Sequence, residues 1–386
     1  MDQFFAVCAP GLETFLEHEL QRLGLPASPA APAVQAAGGV GFQGDLRDLY
    51  RANLWLRTAS RVLVRLGAFY AAAFPELVRK AGRLPWERYL APGQPVALRV
   101  TCHTSRLYHS GAVAERVARA IGDRLGQLPA VQKFDEDAEV APPQLVIVRL
   151  ANDHCTISVD SSGVLLHRRG YRQAVAKAPL RETLAAGMLM ASGWDMTSPL
   201  LDPFCGSGTI PIEAALMARN IPPGRARRFT FMDWPDFDAE MWSALSKDTL
   251  PTMGEGPGMR ASILASDRDA GAIQSAQANA GRAGVADCIG FSCRAVSAIE
   301  PPPGPGWVVT NPPYGVRVSG GRDLRNLYAQ FGNVLRAKCP GWRVALLCEA
   351  GSDQLMHAAG LGFDAASSIS LMNGGLKVKL ARGRVD

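Results

Sequence analysis

Asp202-Pro203-Phe204-Cys205-Gly206-Ser207-Gly208-Thr209 follows the short apolar pair Leu200-Leu201 and precedes the apolar run 210–218. That order predicts a strand, a tight glycine turn and a helix. Gly206 and Gly208 permit positive φ and let the backbone come close to a ligand, while the next helix aims its first amides at the ligand's polar end. Ligands of open α/β sheets bind at the carboxyl ends of strands, where Asp202 sits. Its carboxylate is positioned to take an ammonium group, directly or through water. Phe204, Cys205 and Thr209 complete this candidate cofactor-binding turn. The fold class expected from here to the carboxyl end is α/β with a parallel sheet, because strand-like and helix-like segments alternate.

Working outward, Ala265-Ser266-Asp267-Arg268-Asp269 repeats the arrangement after a second apolar strand, 263–265. A carboxylate there can accept two ribose hydroxyls, so Asp267 is the candidate ribose ligand. Asp269 reads as a helix N-cap. Asp202 and Asp267 lie 65 positions apart, against the ~20 of a simple mononucleotide unit, so an insertion lies between them. It carries Arg225-Ala226-Arg227-Arg228-Phe229, Trp234, Phe237 and Trp242. Interleaved basic and aromatic residues suit nucleic-acid backbone contact and base stacking; aromatic residues beside a sheet also serve as plain core.

Asn311-Pro312-Pro313-Tyr314 follows Trp307-Val308-Val309-Thr310 and is expected at the carboxyl end of a third strand. Methylating an exocyclic amine is difficult because the lone pair is delocalised into the ring. Two hydrogen-bond acceptors that take the amine's N–H groups turn that lone pair toward a methyl donor. The Asn311 side-chain oxygen and the Pro312 carbonyl can do so, since proline lacks an N–H and keeps its acceptor. The prolines, Pro312 and Pro313, hold the acceptors rigid, and Tyr314 can stack on a base turned out of its helix. The expected chemistry is direct displacement, with no covalent enzyme intermediate and no metal. Further on, strand 344–348 and a pair of strands at 366–371 and 376–380, flanking Asn373-Gly374-Gly375, predict a hairpin that closes one sheet edge.

The front half has small α+β alternations instead. A strand at 4–8 leads into a helix with Leu12, Phe15, Leu16, Leu20 and Leu23 at helical spacing, ended by Gly24. The Pro/Ala tract 26–39 is expected as a loop, followed by an extended segment at 39–42 and a helix from about Asp45. A strand at 96–101, a helix at 110–125 and strands at 145–150 and near 155–160 point to a second small mixed module. Proline and glycine clusters at 251–258 and 301–306 read as loops.

The net charge of the 386 residues is +6, and it is unevenly placed. Residues 1–180 hold 21 basic against 16 acidic side chains, and the remainder 20 against 19. A basic module joined to a near-neutral one suits a polyanion binder attached to a catalyst. The eight cysteines are scattered, with no C-x-x-C pair and no histidines at zinc spacing, so a structural metal is not expected. The start Met-Asp-Gln lacks a signal-peptide n-region and no apolar run is long enough for a bilayer. A reduced, cytoplasmic enzyme away from membranes is the expectation.

These motifs resemble the S-adenosylmethionine (SAM)-dependent N-methyltransferases, and the whole chain resembles the THUMP-containing RNA guanine-N2 methyltransferases. The likeness covers the start through Leu23, the 44–54 run, His103-Thr104-Ser105-Arg106-Leu107-Tyr108-His109-Ser110, Arg168-Arg169-Gly170-Tyr171-Arg172 and the 178–184 run. It is closest to the amino-terminal half of the bacterial large-subunit (23S) ribosomal RNA guanine-N2 methyltransferases. Some of those carry a second, fused methyltransferase, and this chain ends where that fusion would begin. The resemblance implies a ferredoxin-like module at 1–60, a THUMP domain at 61–165 and a Rossmann-like SAM methyltransferase domain at 166–386, with a mainly parallel seven-stranded sheet. It implies SAM as cofactor and methyl transfer to the N2 amine of a guanosine, in ribosomal RNA by preference, with transfer RNA as the alternative. Arg106, Arg168, Arg169, Arg172, Arg227 and Arg228 become candidate RNA contacts. One departure concerns the loop 291–295, where relatives place an acid that meets the adenine amine and this chain has Ala295. Adenine recognition is then expected from backbone groups or another segment.

N-P-P-Y also serves enzymes that methylate adenine in DNA or glutamine in proteins. The front half argues against a protein acceptor, and no DNA target-recognition domain is visible. A non-catalytic RNA-binding module is opposed by the intact 311–314 run.

Overall fold

The computed structural model describes residues 1–386 except 26–37, 136–142, 174–179, 248–261, 315–320 and 374, and gives no side chains at 321–323 and 365. The tract 26–37, the cluster 251–258, Gly315, Gly374 of the expected turn and residues 178–179 of the 178–184 run therefore lie outside the described residues. Two compact units emerge. One comprises Met1–Cys8, Leu16–Leu166 and Arg227–Asp248; the other comprises Ala9–Phe15, His167–Ala226 and Thr249–Asp386.

The first unit is built on one six-stranded sheet, in the order β2-β1-β3-β6-β5-β4. Its strands are β1 (Asp2–Cys8), β2 (Gly39–Gly44), β3 (Ala59–Tyr70), β4 (Val96–His103), β5 (Gln144–Ala151) and β6 (His154–Asp160). The helices are α1 (Glu13–Arg22), α2 (Leu46–Trp55), α3 (Phe74–Ala81) and α4 (Ser110–Leu125). Asp45 caps α2 through a reciprocal capping box with Asp48. Gly126, at φ 80°, stops α4. Within this unit, sequence patterning missed β3. Its first part pairs with β1 and its second with β6, with a register shift between Arg65 and Gly67. The module boundary expected near residue 60 thus falls within one continuous strand.

The same unit includes the middle of the long insertion. Helix α7 (Ala239–Lys247) packs on α2. Phe231 stacks on Tyr50 at 4.4 Å between ring centroids, and Trp234 meets Tyr89 edge-on at 4.9 Å. The Trp234 indole donates to Gln144 at 2.7 Å, and Tyr50 accepts the Asp238 amide at 3.0 Å. Phe229, Phe231 and Trp234 are buried. Of the two readings open for these aromatic residues, core packing is the one the structure takes.

The second unit is a seven-stranded sheet in the order β12-β13-β11-β10-β7-β8-β9. Its strands are β7 (Leu200–Asp202), β8 (Ile263–Asp267), β9 (Ile289–Cys293), β10 (Trp307–Thr310), β11 (Arg343–Glu349), β12 (Gly362–Asn373) and β13 (Leu376–Arg384). β9, β8, β7, β10 and β11 run parallel, while β13 and β12 are antiparallel at the edge. Residues 291–293, expected as loop, belong to β9, so the strand before N-P-P-Y is the fourth of this sheet in chain order and not the third. Helices α5 (Glu182–Ser192), α6 (Thr209–Ala218) and α8 (Ala270–Ala283) pack on one another. α9 (Gly321–Lys338) pairs with α10 (Asp353–Ala359), and Tyr328, Phe331 and Leu335 of α9 join a core with Leu201, Val308 and Leu346. Chain order reverses between β7 and β10, which makes their carboxyl ends the switch point where such sheets bind ligands. Among the described residues, no helix is long and apolar enough to cross a membrane.

Candidate active site

β7 and β10 deliver Asp202 and the N-P-P-Y segment to the two sides of the switch point. Asp202 is 1 % exposed. Its Oδ1 accepts the Thr310 hydroxyl at 2.6 Å and the Phe204 amide at 3.2 Å. Burial pushes its carboxyl up to about 7, the two hydrogen bonds pull it back, and the nearby Asp267 charge raises it further. Among the described residues no ion pair reaches it.

The turn after Asp202 is fixed from several directions. Gly206 has φ +50° with open space where a Cβ would stand, whereas a Cβ on Gly208, at φ +85°, would come 2.9 Å from the Ala276 Cβ. One glycine therefore leaves room for a ligand and the other lets α8 approach. The Asn279 amide of α8 donates to the Ser207 carbonyl at 3.0 Å, and Asn279 itself accepts from Arg282. Cys205 is buried, which raises its thiol; its amide donates to the Ser266 carbonyl at 3.0 Å. Asp267 accepts the Gly206 amide on one oxygen and the Asp269 amide on the other, each at 3.0 Å. Asp269 caps α8, accepting from Gly271 and Ala272 at 2.8 and 3.3 Å.

The N-P-P-Y segment is held at its proline and tyrosine ends. The Tyr328 hydroxyl donates to the Pro313 carbonyl at 3.4 Å, and the Asn373 side chain donates to the Tyr314 hydroxyl at 3.2 Å. Asn311 differs: its side-chain oxygen is buried, and among the described residues it has no hydrogen-bond partner. An unmet buried acceptor costs about 1–3 kcal/mol, so this one is an invitation to a donor from a ligand.

A buried ionic cluster underlies the glycine turn. Arg169 lies 3.6 Å from Glu213 of α6, which also accepts the Tyr171 hydroxyl at 3.2 Å. Arg172 lies 3.5 Å from Glu182 and donates to the Leu180 carbonyl and the Thr209 hydroxyl. Burial pushes Glu182 up to about 7, with Arg172 pulling it back. Arg227, in the first unit, donates to the Val164 carbonyl and, at 2.9 Å, to that of Leu165. The guanidinium groups of Arg169, Arg172 and Arg227 are thus engaged by partners within the protein, Arg169 in a buried site and the other two in part-buried ones. Arg106 and Arg228 have exposed side chains, salt-bridged to Asp153 and Asp233, and Arg168 is half-buried.

Patterning did not find Thr310, Asn279, Tyr328 or Asn373. Thr310 stands directly before the motif and Asn373 within the recognised turn, so each carried a positional signal; Asn279 and Tyr328 are single polar groups on amphipathic helices. Near the end of β8 and β9, a cavity of 220 Å³ is lined by Ser266, Ser292, Arg294 and Glu300. The Ser266 hydroxyl is buried and without a partner among the described residues.

The donors and acceptors fit SAM: an uncompensated carboxylate for an ammonium, an open glycine turn and a second carboxylate one strand away. Comparison with known proteins agrees. Residues 3–63 match the RlmL ferredoxin-like domain, 71–160 the THUMP domain and 169–381 the RMKL-like methyltransferase domain. The chain is 36% identical over 98% of its length to a Synechocystis protein named "Putative RNA methyltransferase slr0064", covering 96% of that relative. It is likewise 36% identical to the "Ribosomal RNA large subunit methyltransferase K/L" of Methylococcus capsulatus, but spans 50% of that relative's length. Among solved structures, a protein from Listeria monocytogenes described as "a predicted N6-adenine-specific DNA methylase" superposes with TM-score 0.85 at 32% identity, covering 99% of this chain and 96% of that one. SMU.472, solved in complex with SAH, superposes with the same TM-score at 27% identity, covering 100% and 98%. The chain belongs to the family of SAM-dependent methyltransferases that join an RMKL-like catalytic domain to RlmL ferredoxin-like and THUMP domains.

Proposed function

We propose that this protein methylates the exocyclic N2 amine of a guanosine in large-subunit ribosomal RNA. The observation that carries the reading is the buried Asn311 side-chain oxygen just after β10, which has no hydrogen-bond partner among the described residues. SAM, when bound, supplies an electrophilic methyl group on a sulfonium. Asp202 takes its ammonium group, the Gly206–Gly208 turn receives its polar end, and Asp267 accepts the ribose hydroxyls. The Ala295 side chain offers no acceptor to the adenine amine; the Ser266 hydroxyl, in the neighbouring cavity, does.

Asn311 and the Pro312 carbonyl accept the two N–H groups of the target amine and keep its lone pair toward the methyl group. Tyr314 stacks on the extruded base. The proton leaves to water after transfer, so no general base is required. Arg106, Arg168 and Arg228 contact RNA phosphates. RNA as substrate is supported by the THUMP match and by the names of the K/L relatives. Guanosine N2 is supported by the resemblance of the whole chain, and transfer RNA is the second substrate to test.

The test is transfer of labelled methyl from SAM to separate pools of unmodified ribosomal RNA, transfer RNA and DNA, followed by nuclease digestion. N2-methylguanosine in the large ribosomal RNA is expected; label confined to DNA would replace this reading with adenine methylation. Asn311→Ala is expected to keep SAM affinity within about twofold while lowering turnover by roughly 10²–10³-fold, the scale of losing one transition-state hydrogen-bond partner. Normal turnover by Asn311→Ala would discard the mechanism.

A further inference from the structure

The hairpin β12–β13 belongs to the edge of the sheet, yet its tip reaches the N-P-P-Y segment. Asn373, the last residue of β12, lies 59 positions from Tyr314 in the chain and donates to its hydroxyl at 3.2 Å. Two of the contacts on this segment differ in kind. Pro313 is fixed by Tyr328, which is 1 % exposed and locked into the core around α9. Tyr314 is held by a hairpin tip whose flanking Met372 and Leu376 are 37 % and 39 % exposed. Core packing of the tip therefore does not account for the Asn373 contact. The hydroxyl lies at the far end of the ring, on the axis of its own torsion, so a bond there does not choose the ring plane but anchors the tip and limits swing of the whole ring about χ1. The phenol oxygen accepts from Asn373.

We propose that Asn373 is a positioning residue for the methyl-acceptor base, acting through Tyr314. By holding the hydroxyl it limits swing of the ring on which the extruded base stacks, and so aligns the amine with Asn311. The assignment rests on the reading of Tyr314 as the stacking platform. If the contact merely tied the hairpin to the sheet, its removal would lower stability and leave the catalytic step alone.

A double-mutant cycle separates these roles. Full-length parent, Asn373→Ala, Tyr314→Phe and the double variant are assayed on an unmodified large-subunit ribosomal RNA transcript, or on whichever pool took label above. SAM affinity and melting temperature are measured alongside. Asn373→Ala and Tyr314→Phe are each expected to lower kcat by about three- to tenfold, as for loss of one hydrogen bond, with SAM affinity within about twofold of the parent. The double variant is expected to lose no more than the larger of the two single losses, because each single change already removes the shared bond. Asn373→Ser, too short to reach, serves as a second variant and should match Asn373→Ala. Losses that multiply in the double variant, or parental kcat in both Asn373 variants, overturn the assignment. Tyr314→Ala tests the platform itself: if it is silent, the stacking reading falls and takes the proposal with it. If Tyr314→Ala is crippled while the cycle is additive, only the role of Asn373 falls.

Discussion

Asp160 in the first unit and Asp202 in the second are both final residues of a strand, both essentially inaccessible to solvent, and both pushed upward in pKa by burial. Their surroundings diverge from there. Asp160 meets the Arg61 guanidinium and accepts the amides of Ser162 and Gly163 at 3.0 and 3.1 Å. Arg61 in turn donates to the Gly163 carbonyl at 2.6 Å. Asp202 has a hydroxyl, one amide and a second carboxylate nearby. Burying a charge demands compensation. The first aspartate receives it from its own chain and locks a corner; the second has no ion-pair partner among the described residues and is suited to take one from a ligand.

The largest effect is expected from breaking the compensated side. Arg61→Ala strands a buried carboxylate and should destabilise the first unit by about 3–5 kcal/mol, read by denaturant unfolding; a loss under about 1 kcal/mol would mean that Asp160 is not charged there. Asp202→Asn keeps size and hydrogen bonding, so stability should hold while SAM binding weakens roughly 10–100-fold, the scale of a lost charge-assisted bond.

The sign of the pH effect sharpens the contrast. Asp202 must lose its proton to hold an ammonium, so SAM affinity should fall about tenfold from pH 8 to pH 6 by one-proton linkage. The ligand-free protein should behave oppositely. A carboxyl raised on folding contributes most below its unfolded pKa, and that contribution is lost as pH rises through about 7. Asp202→Asn should flatten both profiles in calorimetry and thermal melts. The smallest expected effect belongs to Asp269→Ala, which removes a helix cap at about 1 kcal/mol and should leave SAM affinity unchanged; weakened binding would make Asp269 a ligand residue.

The glycine turn, Asp267 and N-P-P-Y were legible because strand ends need special backbone there, and few residue types supply it. The capping role of Asp269 and the span of α4 followed from the same local rules. β3 was not legible, since a twelve-residue strand shared by two modules gives no boundary signal at residue 60. Nor could sequence order say that residues 227–247 pack with Tyr50 and Tyr89, because that core is assembled from segments far apart in the chain. The surroundings of the arginines were not legible for a related reason: exposed and buried guanidinium groups look alike until their partners are known. Arg169 and Arg227 turned inward to Glu213 and to backbone carbonyls.

That late-arriving segment has a consequence for the order of synthesis. Translation releases residues from the amino end at ~5–20 per second, so all six strands of the first sheet emerge before Phe231 and Trp234 do. The aromatic faces of Tyr50 and Tyr89 wait uncovered meanwhile, while the Asp202 turn is already being made. A nascent chain paused near residue 200 therefore carries a complete set of strands and an unfinished core, which is when a chaperone would find most to hold.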